Sequence, residues 1–294
     1  MRWPAEAIWE AVSPRLPGFT VEVLPEIGST NTELMQRARA GRTEPLLLVA
    51  ERQTAGRGRL GRQWHSQAAA VGAADTQAGG GPDLPALTFS VGLPLAPRDW
   101  SGLSLAVGLA LAQGLDPVGE RISLKWPNDL WVQGRKLAGI LVETAAFPEP
   151  AARRDGGRVL PSGVARTTVE GGPAGRYTVV GVGINLSLPA ATGLSTPPAA
   201  LRQWWPQAQA GQVLGLVAPA LIEALLAFEQ EGFAPLQAAY AARDLLREQP
   251  LRLSDGTEGR GLGVDASGAL RLATADGVQV VTSAEVSVRP VGAV

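Results

Sequence analysis

The chain has 294 residues, 45% of them apolar and 18% charged, with a formal net charge of −1. That length allows one large domain or two smaller ones around a substantial core, and the near-neutral charge removes any whole-molecule electrostatic case for nucleic acid or an anionic membrane. The absence of cysteine excludes disulfides, thiolate zinc sites, iron–sulfur clusters and thiol nucleophiles, and the single histidine, His65, rules out a multi-His metal site.

Residues 1–10 lack a basic start followed by an apolar run and do not read as a signal peptide. Alternation over 19–25 predicts a strand. Thr30-Asn31-Thr32-Glu33 fits a capping box, opening a helix to about Ala40 that stops at Gly41. The continuous apolar run 46–50 predicts a buried strand, and 54–62, rich in Gly and Arg, a loop. Residues 65–85 are small, Gly-rich and without periodicity, which predicts a flexible surface excursion.

A strand is expected over 87–93 and a helix over 101–115, closed by a Gly-Leu-Asp-Pro stop. Residues 122–126 and 130–132 flank the turn Pro127-Asn128-Asp129, and Gln133-Gly134 turns the chain into a strand over 136–143. A second flexible loop is expected over 144–176, then a strand over 177–184 and helices over 212–230 and 234–247. The apolar stretch 213–228 contains Pro219 and Glu223 and reads as a core helix, not a membrane span. After Pro250, short strands at 251–253, 259–264, 269–272 and 278–281 are separated by Asp-Gly and Ser-Gly turns, which predicts a small β-barrel. The expected organisation is a domain over 1–247 and a second over 248–294.

Only two of the 26 basic residues, Lys125 and Lys136, are lysines. Arginine is a planar fork and lysine a compact point charge, so the surviving lysines mark positions where the fork fails. Gly56-Arg57-Gly58-Arg59-Leu60-Gly61 matches G-x-G-x-x-G. No helix pattern or ribose-binding acid follows it, so the dinucleotide reading fails. Three arginines within six residues repel one another without an anion, and arginine pairs bidentately with phosphate, so the loop reads as an anion site. Ser29-Thr30-Asn31 can cap a helix or present donors to a polar ligand.

In chain order, Ser29-Thr30-Asn31, then Gln53 with the basic loop to Trp64, then Lys125-Trp126-Pro127-Asn128-Asp129, then Lys136 to Glu143, then Gly181-Val182-Gly183-Ile184-Asn185 together resemble the biotin protein ligases. The resemblance spans roughly residues 25–190. It implies an α+β fold: a mixed sheet with helices on one side, like that of class II aminoacyl-tRNA synthetases, followed by an SH3-like barrel. It implies activation of biotin with ATP, Mg²⁺ travelling with the nucleotide, and transfer to one lysine of a biotin carboxyl carrier protein, that of acetyl-CoA carboxylase. By motif position, Arg59 and Lys125 touch the carboxylate and phosphate. Ser29, Thr30, Asn31 and Gln53 hold biotin, with Arg57, Gly58 and Arg59 closing over it. Arg59, Arg62, Trp64, Asn128 and Asn185 face ATP, and Asp129 is the candidate base for the acceptor lysine. No dedicated metal cage is expected.

Only about 25 residues precede the first motif, so the expectation is a cytoplasmic ligase without the DNA-binding repressor domain of some members, off the membrane. The family also allows a homodimer. The runner-up is a lipoate or octanoyl ligase of the same fold, although the Arg-Arg-x-Ser-Gly-Gly-Gly run usual there is absent.

Overall fold

The computed structural model describes residues 3–64, 84–147, 175–190 and 196–282, and the backbone of 288–290. Most of the two expected excursions, and His65 with them, lies outside the described residues. In chain order the elements are α1 (Ala5–Val12), β1 (Thr20–Ile27), α2 (Thr30–Arg39), β2 (Leu46–Gln53), β3 (Ala86–Leu95), α3 (Leu103–Leu115), β4 (Ile122–Lys125), β5 (Asp129–Val132), β6 (Arg135–Ala146) and β7 (Arg176–Asn185). There follow α4 (Ala210–Glu231), α5 (Gln237–Ala241), β8 (Pro250–Leu253), β9 (Glu258–Val264), β10 (Leu270–Thr274), β11 (Gly277–Val281) and β12 (Val288–Pro290).

Strands β1 to β7 form one sheet in the order β1-β2-β3-β7-β6-β5-β4. Only β1 and β2 run parallel and every other pair is antiparallel, so the sheet is mixed. Because strand side chains alternate faces, Leu47, Phe89, Val91, Val180 and Val182 point to one side and pack there with α1, α3 and α4. Leu48, Tyr177 and Val179 point to the other, where they meet Leu34, Met35 and Ala38 of α2. The expected helical layer therefore covers one face, and α2 lies alone on the face that carries the site. Strands β8 to β12 make a second, antiparallel sheet in the order β11-β10-β9-β8-β12. Its Leu251, Leu253, Leu270 and Leu272 join the same apolar core as α3 and α4.

Helix α4 is long and apolar enough to cross a membrane by length and composition. Val213, Val217, Leu221, Leu225 and Phe228 on it are buried in the core, the pattern of a buried helix in a globular domain.

Three expectations are corrected and one element was not anticipated. The N-cap of α2 is Ser29, one residue before the Thr30 that the expected capping box required. Helix α1, placing Ile8 and Val12 in the core, has no counterpart in the sequence reading. Residues 144–146 continue β6 along β7, with Thr144 opposite Thr178, and do not open a loop. The helix expected over 234–247 holds α-helical form only in α5. Beyond it the backbone pairs with the edge of the large sheet, Leu124 N–H donating to Arg243 O (2.7 Å) and Leu245 N–H to Leu124 O (2.9 Å), so a tertiary pairing overrides helix propensity.

Candidate active site

The floor of the site is the open face of β6 and β7, where Gly139 lies opposite Gly183 and Leu141 opposite Gly181. Alternation turns Gly181, Gly183 and Asn185 to this face. The glycines are there for space: a Cβ on Gly181 would overlap the Asn31 carboxamide, and one on Gly183 would enter the Trp64 ring. The glycines of the Gly181-Val182-Gly183-Ile184-Asn185 motif thus let two side chains lie flat on the strand backbone.

Above this floor sits the N-terminus of α2. Ser29 is its N-cap, with Oγ accepting from Thr32 N–H (3.4 Å). Thr30 donates its N–H (2.8 Å) and its hydroxyl (3.2 Å) to Gln53 Oε1 at the end of β2. Ser90 Oγ lies 2.7 Å from both Thr30 Oγ1 and Asn31 Oδ1. Asn31 Nδ2 donates to Leu141 O (3.2 Å) and Glu143 Oε2 (3.0 Å). Thr30, Asn31 and Ser90 are all buried, so the network is one of satisfied groups in low dielectric, which fixes side-chain orientation firmly. Ser90 was not singled out from the sequence. Its signal was there: a hydroxyl within the otherwise apolar run 87–93, alternating with Phe89 and Val91.

The basic segment folds back on itself. Gly58 N–H donates to Arg62 O (2.7 Å) and Trp64 N–H to Gly56 O (2.9 Å), with Arg57 and Gln63 paired as a bridge. A Cβ on Gly56 would stand 2.5 Å from Trp64 O, too close for any other residue. Arg57 forms an ion pair with Glu143 (3.1 Å). Arg59 donates to Asn128 Oδ1 (3.4 Å), and burial pulls its guanidinium below the usual arginine range against the opposing field of Asp129. Arg62 is exposed.

The β4–β5 hairpin supplies Lys125, and the start of β6 supplies Lys136. Lys125 Nζ lies 5.0 Å above the Trp131 ring, a cation–π arrangement. Asp129 Oδ1 pairs with Lys136 Nζ at 2.7 Å, which gives that carboxylate a fixed partner within the site. Asn128 is clamped to β6, donating to Ile140 O (2.6 Å) and accepting from Ile140 N–H (3.0 Å). Trp126 is fully buried and its indole donates to Gly268 O in the β9–β10 turn (3.1 Å). Asn185 gives its Nδ2 to Ala199 O (3.0 Å) and Lys136 O (3.4 Å).

All twelve residues assigned from the sequence to biotin or ATP line one cavity of about 330 Å³, within the range of small-molecule sites. Lys136, Asp129, Trp131 and the 196–198 segment line it as well; Lys136 was visible as one of two lysines, whereas the 196–198 segment carried no signal. Among the described lining residues Asp129 is the one carboxylate, set among Arg59, Lys125 and Lys136. Such a chamber suits an anionic ligand with an uncharged polar end beside Thr30 and Gln53.

Two family models match the chain: the biotin/lipoate A/B protein ligase family over residues 23–149 and the biotin protein ligase C-terminal domain over 251–289. A biotin–[acetyl-CoA-carboxylase] ligase of Paracoccus denitrificans is 31% identical over 284 residues, covering 90% of this chain and 98% of that protein. The chain belongs to the biotin protein ligase family. The bifunctional ligase/repressor BirA of Escherichia coli K12 is 32% identical over 269 residues, covering 88% of this chain and 70% of that protein. In fold, the chain resembles the biotin protein ligase of Aquifex aeolicus solved with biotin and ATP, at a TM-score of 0.66, 24% identity, and coverage of 92% of this chain and 98% of that one. Like these ligases, the chain pairs a mixed sheet with a small C-terminal antiparallel sheet.

Proposed function

We propose that this protein binds biotin and ATP, forms biotinyl-5′-AMP, and transfers the biotinyl group to a specific lysine of a biotin carboxyl carrier protein. The observation that carries this reading is the convergence of Arg59, Lys125 and Lys136 on the same cavity as the Thr30–Gln53–Asn31 network. In the first step a carboxylate oxygen of biotin attacks the α-phosphorus and pyrophosphate leaves. Arg59 and Lys125 offset the negative charge that builds between the two anions; one such fixed donor contributes about 2.7–4 kcal/mol in comparable sites. Ser29, Thr30, Asn31 and Gln53 hold the ureido end, and the Arg57-Gly58-Arg59 backbone closes over the acyl chain. Arg62, Trp64, Asn128 and Asn185 shape the nucleotide half, the two asparagines through backbone clamps.

In the second step the deprotonated acceptor amine attacks the acyl carbon, the bond to phosphate oxygen breaks, and AMP leaves. Among the described residues no three carboxylate or imidazole side chains come together. Mg²⁺ would ride on the nucleotide phosphates and water, where it would shield their charge.

We also propose a catalytic unit over 1–247 with a C-terminal module over 248–294, and action in the cytoplasm. We further propose ligase activity without repressor function; a gel shift with biotin-operon operator DNA is expected to show no complex. Incubation with ATP, biotin and a carrier domain, followed by intact mass measurement, tests the main reading: one biotinyl adduct on the carrier supports it, and pyrophosphate release with lipoate in place of biotin would overturn it.

A further inference from the structure

The described part of the cavity leaves one charged group near its edge outside the proposed chemistry. Glu143 stands on β6 two residues beyond Leu141, its side chain 22% exposed. One oxygen accepts from the Asn31 carboxamide (3.0 Å), and the other pairs with Arg57 Nη2 (3.1 Å). Arg57 Nη1 reaches the first oxygen (3.5 Å) and Thr32 Oγ1 (3.4 Å). A continuous chain therefore runs from the buried Ser90 hydroxyl through Asn31 and Glu143 to the guanidinium of the basic loop.

A partly buried carboxylate with one oxygen on an amide and the other on a guanidinium holds both in register, since charge-assisted bonds are shorter and stronger than neutral ones. We infer that Glu143 is a positioning residue that ties the closed form of the 56–62 loop to the Asn31 amide, so that ligand retention and loop closure depend on one carboxylate. The inference rests on the proposed reading of Asn31 and Arg57 as biotin-site groups. Loss of the charge frees the loop from the sheet and removes the strongest acceptor on Asn31. Because Arg57 is half-exposed, solvent screens the pair and the effect is moderate.

The test uses the full chain in three variants: Glu143→Gln, Arg57→Gln and the double substitution. Each is measured for biotin dissociation by stopped flow, for trypsin cleavage after Arg59 and Arg62, and for Tm. Glu143→Gln is expected to speed biotin release and loop cleavage about fivefold with Tm unchanged, and the double variant to be no worse than the more affected single one. Glu143→Asp keeps the charge on a shorter stem and should restore part of the loss. Wild-type release and cleavage in Glu143→Gln alongside fast release in Arg57→Gln would overturn this inference alone. Wild-type behaviour in both would overturn the biotin-site reading of Arg57 along with it. If Glu143→Gln does not fold, the comparison of Glu143→Asp with Arg57→Gln decides by the same readouts, parallel losses supporting the coupling and a loss in Arg57→Gln alone refuting it.

Discussion

Along β7, alternate residues serve two different ends: Val180, Val182 and Ile184 fill the core beneath α3 and α4, whereas Gly181, Gly183 and Asn185 floor the cavity on the other side. Along β3, Phe89 and Val91 face the core while Ser90 props Thr30 and Asn31. The helix-covered face is held by apolar burial, which is proportional to area and indifferent to direction. The site face is held by aimed hydrogen bonds and by the deliberate omission of side chains. One face can therefore lose a methyl and keep its function, and the other cannot gain one.

The largest expected break falls on the helix side. Asp116, at the end of α3, pairs with Arg243 with both side chains nearly fully buried, and also accepts N–H bonds from Arg121 and Ile122 (2.9 Å each). Asp116→Ala strands a buried guanidinium and should cost about 3–5 kcal/mol, read by urea unfolding. Arg59→Ala tests the opposite face: pyrophosphate release on mixing with ATP and biotin should fall about 10²–10³-fold while Tm stays near that of the wild type. A large fall in Tm there would erase the contrast between the faces.

Neighbouring positions of β7 sharpen it. Gly183→Ala drives a methyl into the Trp64 ring; overpacking of that kind costs about 1–3 kcal/mol, expected here as weaker ATP binding in calorimetry. Val180→Ala, on the core face of the same strand and outside the cavity lining, removes two buried carbons and should lower unfolding stability by about 1.5 kcal/mol, leaving ATP affinity intact. The smallest effect is acid sensitivity. Burial alone would raise the Asp116 carboxyl, but the N–H groups of Ile122 and Arg121, with Arg243, more than offset that and hold it below the usual carboxylate range. Its stabilisation is complete above the unfolded pKa of about 3.9 and is lost as pH falls through the lower folded value. Below about pH 4 the wild type should therefore lose Tm more steeply than Asp116→Asn, as followed by circular dichroism.

Much of this was legible in the chain itself. Hydrophobic period marked nearly every strand and the two long helices, the paired glycines and turn residues marked their ends, and scarcity of lysine pointed to Lys125 and Lys136. These are local signals, carried by a residue's own neighbours in sequence. What needed the folded molecule were pairings between distant segments: Ser90 reaching Asn31, Glu143 bridging Asn31 to Arg57, Trp126 bonded to Gly268, and 243–245 leaving helical form to pair with β4. Propensity and period register only which conformation a segment prefers alone. Which buried donor meets which acceptor is set when strands dock face to face, because only then is each desolvated polar group forced to find its partner.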